Sequence, residues 1–151
     1  MTAAAVLLEK DPRLNVFELD RSRKELMPQN QERGRVVLVV DPSADTRLMY
    51  VQFLRLASGV LVASADSAED AIRFCHEIRP DGIVADLGLG SQDDAGFFDT
   101  IRSIVGPDTC VVAITGAPNP PPHPAISTIL RKPLDPKRLL DSVGVEWRDD
   151  D

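Results

Sequence analysis

The stretch Gly82-Ile83-Val84-Ala85-Asp86-Leu87-Gly88 sets a carboxylate at the end of an apolar run and follows it with a glycine. A short run with no polar interruption reads as a strand buried on both faces, the kind that parallel sheets use. Similar β-branched runs recur at residues 36–40, 60–63, 110–114 and 127–130. Helix-like stretches separate most of them, and the alternation predicts a five-stranded, doubly wound parallel sheet with helices on both faces.

The helices announce themselves by caps and period. Between the first two strands, Ser43 is an N-cap candidate and Leu48, Val51 and Leu54 recur on one face. Asp66 and Ser67 cap the next helix, where Ala68, Ala71, Ile72 and Cys75 follow an i, i+3, i+4, i+7 pattern before Pro80 ends it. Cys75 is therefore a core thiol. Phe97, Ile101 and Ile104 face inward on the third helix, and Asp135-Pro136 opens the last with Leu139, Leu140 and Val143 toward the sheet. One helix is missing. After the fourth strand the chain reads GAPNPPPHPAI, with five prolines among residues 118–124. Proline lacks the helical N–H and restricts its predecessor, so this connection is expected to be extended or polyproline-like.

At 151 residues the chain suits one domain with a real core plus a modest extension. The domain is expected over 35–147, with an N-terminal extension over 1–34, either disordered or docked, and an acidic tail over 148–151. No apolar run approaches the ~18 residues of a membrane span, and the run from Ala3 to Leu8 is too short for a signal peptide, so a soluble cytoplasmic protein is expected. Cys75 and Cys110 have no metal-ligand spacing. The net charge of -7 falls outside the extension, where 11 basic residues face 18 acidic ones, and this disfavours nucleic acid as a direct partner.

Four polar residues fall where a doubly wound sheet gathers its ligands: Asp41, Asp86, Thr115 and Lys132 end the first, third, fourth and fifth strands. Any one alone is an ordinary turn or cap residue. Together, with Pro133 after the lysine, they resemble the receiver domain of two-component response regulators, over roughly 35–143. The resemblance rests on VLVVD (37–41), IVAD (83–86), VAIT (112–115) and RKPL (131–134). It implies the flavodoxin-like strand order 2-1-3-4-5, here with the fourth helix shortened or replaced by the proline-rich loop. Asp86 is then the phosphoacceptor, Thr115 bonds a phosphoryl oxygen, and Lys132 pairs with that group or with Asp86. Asp41, Asp86 and the Gly88 carbonyl would hold Mg²⁺, and the Lys132–Pro133 bond would be cis. The implied partners are a histidine kinase or histidine phosphotransfer protein and a downstream protein, with a homodimer left open and no membrane. The chain would be no enzyme beyond its own phosphorylation and dephosphorylation.

The sequence also departs from that family. Pro42 stands where a second acid usually follows Asp41. A charge pair at ~4 Å and an effective dielectric near 20 interacts by roughly 4 kcal/mol before desolvation, so weak metal affinity is expected. Asp93 and Asp94 are candidate substitutes, though solvated loop acids are the simpler reading. Ile129 occupies the place of an aromatic switch residue, and the proline loop replaces the usual fourth-helix lever. His76 and His123 read as a surface group and a solvated loop group. A pseudo-receiver that has lost efficient phosphotransfer is the alternative reading. An aspartate-nucleophile phosphatase ranks below both, because Ser43 and Gly88 stand where a general acid would be needed.

Overall fold

The structure, a computed structural model, describes residues 7–8, 35–57, 59–86, 94–120 and 122–145, with backbone alone for 7, 8, 94 and 95. Among these residues six strands, β1 (Leu7–Leu8), β2 (Arg35–Val40), β3 (Val60–Ala65), β4 (Gly82–Asp86), β5 (Cys110–Thr115) and β6 (Thr128–Arg131), form one sheet in the order β1-β3-β2-β4-β5-β6. Strands β2 to β6 are parallel, and β1 adds an antiparallel edge beside β3. The parallel core thus has the expected order. Leu7–Leu8 of the extension pair with β3; its other residues, and the acidic tail, lie outside the described residues.

Strand parity divides the core in two. Val36, Leu38, Val40, Ile83, Ala85, Val111 and Ala113 face one layer, while Val37, Val39, Val84, Val112 and Ile114 face the other. Helices α2 (Ala68–Glu77) and α3 (Asp94–Val105) cover the first layer with Ala71, Phe74, Cys75, Phe98 and Ile101. Helices α1 (Ala44–Leu54) and α4 (Pro136–Ser142) cover the second with Tyr50, Val51, Leu54, Leu139 and Leu140, joined by Val143 just past α4. Each such aliphatic side chain, fully buried, contributes roughly 1.5–3 kcal/mol against leaving it in water.

The capping residues act as expected: Ser43, Ser67 and Asp135 accept from the backbone N–H groups of Thr46, Asp70 and Lys137. Leu48 does not. It is 44% exposed, because α1 turns Tyr50 inward beside the expected Val51 and Leu54. The helix carries apolar residues nearly all round, so period alone could not choose its buried face.

No helix fills the connection from β5 to β6 among the described residues. The loop is bent at Pro118 and Asn119 and turns at Pro124 and Ala125, where Ile126 N donates to His123 O, so it is not a straight polyproline segment. Arg102 of α3 holds it. Its guanidinium donates to the Ala125 carbonyl twice (Nε 3.2 Å, Nη2 3.0 Å), to Ser127 Oγ, and to the Gly106 and Thr109 carbonyls. His123, expected to be solvated, is half-buried: Nδ1 accepts from Ala125 N, and Nε2 lies 3.7 Å from Asp99. No helix of the described residues is long and apolar enough to cross a membrane.

Candidate functional site

The chain winds outward from β2 to β3, then crosses to β4, so the strand order reverses between β2 and β4. Open sheets bind ligands at such a switch point, beyond the carboxyl ends of the strands. Register fixes which residues meet there. Val40 pairs with Ala85, so Asp41 and Asp86 stand level on adjacent strands. Asp86 pairs with Ile114 and Thr115 with Arg131, so Thr115 and Lys132 each lie one residue past their neighbour's pair. Lys132 N also donates to Thr115 O at 2.9 Å, and the Lys132–Pro133 bond is cis, as the resemblance implied.

Lys132 Nζ lies 2.9 Å from Asp86 Oδ2, with the lysine 44% and the aspartate 14% exposed. With the lysine this exposed, the pair adds little to stability. Asp41 is buried at 3% exposure. Its Oδ1 accepts from Ser43 N at 2.8 Å, while Oδ2, also buried, meets no hydrogen-bond donor. Burial pushes the Asp41 carboxyl above its usual range, and Asp86 beside it adds to the effect; the Ser43 amide and Lys132 oppose it. A donorless buried carboxylate oxygen next to a second carboxylate is chemistry that a hard divalent cation satisfies. The described residues thus offer such a cation two carboxylates, and among them no cluster of three His, Cys, Asp or Glu side chains forms. Gly88 and Asp93 lie outside the described residues.

Thr115 is buried, its Oγ1 accepting from Ala117 N at 3.0 Å, which ties the root of the proline loop to the site. Two more residues belong to the surroundings. Arg47 of α1 donates to the Asp41 carbonyl at 2.8 Å, fixing the backbone that aims Asp41. Tyr50 sits beneath the carboxylates, its phenol kept protonated by burial first and by Asp86 and Asp41 second. No motif pointed to either; a tyrosine inside an apolar helix face is the one signal that could have.

An open parallel sheet with two carboxylates, a threonine and a lysine at its switch point defines an α/β protein with a polar cluster at the carboxyl ends of its strands. The comparisons narrow this. A family model for the response regulator receiver domain matches residues 37–144, and the chain belongs to that family. Among solved structures it is similar to the chemotaxis response regulator CheY4 of Vibrio cholerae, at TM-score 0.63 and 24% identity over 72% of this chain and 95% of that one. A signal receiver domain of an HD domain-containing protein from Pseudomonas fluorescens Pf-5 matches at TM-score 0.65 and 21% identity, over 74% and 92%. A Burkholderia pseudomallei response regulator with a phosphorylated aspartic acid, a calcium ion and citrate matches at TM-score 0.61 and 18% identity, over 72% and 66%. None of the curated proteins matches.

Proposed function

We propose that this chain is a phosphoacceptor switch of a two-component or phosphorelay system, taking a phosphoryl group on Asp86 and acting through protein contacts. The observation that carries the reading is the Lys132 ammonium held 2.9 Å from Asp86 Oδ2 at the open end of the sheet. In the reaction an Asp86 oxygen attacks the phosphorus of a phosphohistidine or a small acyl phosphate. The bond from phosphorus to the donor breaks, and its electron pair leaves with the imidazole or the carboxylate. Such transfers need positioned cations more than covalent help, and Lys132 supplies one to the phosphoryl oxygens while Thr115 donates a hydrogen bond. Asp41 and Asp86 would hold Mg²⁺, which when bound supplies the second positive charge. The phosphorylated aspartic acid and calcium ion of the Burkholderia relative support this reading by analogy.

A histidine kinase or phosphotransfer protein is the donor that fits. Leu48 and Met49, 44% and 40% exposed, lie on α1, which starts directly after the Asp41 turn. They give a docking protein apolar area beside the acceptor. A cytoplasmic, bacterial setting goes with that donor.

Intact mass after incubation with Mg²⁺ and acetyl phosphate tests the reading. Wild type should gain one hydroxylamine-labile phosphoryl group, and Asp86→Asn should gain none. Pro42 favours a second reading, a pseudo-receiver, because it removes one acid from the site. Absence of any gain in wild type, at high Mg²⁺ and with a panel of kinases, would establish that reading instead.

A further inference from the structure

On its outer side β3 is the last parallel strand, and an edge strand is a template for pairing with another chain. Natural edges are blunted by lysine, proline or bulges. Here β3 reads VLVASA, with neither charge nor proline, and pairs with β2 residue for residue without a bulge. Among the described residues, what lies on its outer edge is the chain's own Leu7–Leu8, antiparallel, with Leu7 opposite Ser64 and Leu8 opposite Ala63.

We propose that β1 is an edge guard, and that β3, once uncovered, pairs antiparallel with β3 of a second copy. Three observations select that occupant. The edge already accepts an antiparallel strand of apolar residues. Antiparallel pairing of a strand with itself satisfies two-fold symmetry, the commonest closure of homo-oligomers. An uncharged strand sets no like charges opposite one another when it meets its own copy. Two residues of ladder hold little by themselves, so the guard works because it is tethered: intramolecular pairing meets β3 at an effective concentration that a second molecule reaches only when abundant. The six residues of β3 could form a longer ladder with their copy than two residues of β1 allow. Release of β1 would thus turn one sheet into a continuous sheet across two chains. This inference does not rest on phosphotransfer.

The test is sedimentation velocity on the full chain over a range of concentrations. Leu8→Pro removes a backbone donor and disfavours β1 pairing. Relative to wild type, it should show a concentration-dependent species of roughly twice the mass. A synthetic peptide of residues 2–10 added in excess should reverse the shift. An unchanged distribution, or a dimer indifferent to the peptide, overturns the proposal. Should the proline variant fail to fold, a Leu7→Cys, Ser64→Cys chain serves. Oxidised across that pair, it should show less self-association than its reduced form at the highest concentration, and equal behaviour of the two forms also overturns the proposal.

Discussion

Asp41 is a buried carboxylate that the fold leaves half satisfied. Its Oδ2 meets no donor, and burial followed by the Asp86 charge raises its pKa. A carboxyl whose folded pKa is raised binds its proton more tightly in the native than in the unfolded chain. Metal-free stability therefore falls as pH rises from the unfolded value of 3.8 through the raised folded one, and above both the loss is complete. Asp41→Asn removes the charge but keeps an oxygen for the Ser43 amide. It should raise the metal-free melting temperature at pH 7 by a few degrees, about 1 kcal/mol, and flatten its dependence between pH 4 and 7. The same change should slow phosphorylation of Asp86 by acetyl phosphate. Calorimetry without Mg²⁺ and phosphorylation rates with it check both halves; a less stable variant would show that Asp41 serves the fold. Cys75 is the contrasting case, a thiol pushed up to about 12 by burial alone and inert for that reason.

The proline loop owes its shape to α3. Arg102 aims five N–H donors at the Gly106, Thr109 and Ala125 carbonyls and Ser127 Oγ. Arg102→Ala would leave three backbone carbonyls short of partners and should cost about 2–4 kcal/mol in denaturant unfolding, with faster amide exchange at Ile126 and Ser127. Lysine at the same position should recover little, because an ammonium cannot reproduce the planar fork. On α1, Leu48→Glu should slow transfer from a phosphohistidine donor severalfold and leave acetyl phosphate labelling at the wild-type rate. Equal slowing with both donors would show that the residue shapes the site rather than a docking face. These elements also mark what the sequence made legible. Strands and caps could be read to within about two residues, because parallel strands run apolar and Ser43, Ser67 and Asp135 carry their own signals. The buried side of α1 could not, since Leu48 and Tyr50 satisfy a helical period equally well. Nor could the contacts of Arg102 with Ala125 and Ser127, of His123 with Asp99, or the β1 pairing, which arise between segments far apart in sequence and leave no local pattern.

In the whole molecule, the sheet's winding is what turns four separated residues into one site. The convergence of Asp41, Asp86, Thr115 and Lys132 was legible because each stands at or one residue past the end of a strand in an order that the alternation already implied. The environment of Asp41, with an oxygen kept from every donor, was not, because it depends on what α1 and β4 place around it. Through this environment a bound cation would add to global stability. A cation that binds the folded site and ignores the unfolded chain stabilises by RT ln(1 + [L]/Kd), about 1.4 kcal/mol at ten times Kd. For a chain of this size that amounts to roughly 3–5 °C in melting temperature. With Pro42 in place of a second acid, the rise should appear only at Mg²⁺ concentrations well above micromolar. Pro42→Asp would return a carboxylate at an exposed position next to Asp41. Part of the ~4 kcal/mol Coulombic gain is lost to desolvation, and about tenfold tighter binding is the net expectation. The melting curve of Pro42→Asp should therefore begin to shift at about one-tenth of the Mg²⁺ that wild type requires, and Asp86→Asn should weaken the response of both chains. Micromolar Mg²⁺ affinity in wild type would mean that another group completes the site, and a Pro42→Asp chain no more responsive than wild type would mean that residue 42 does not face the ion.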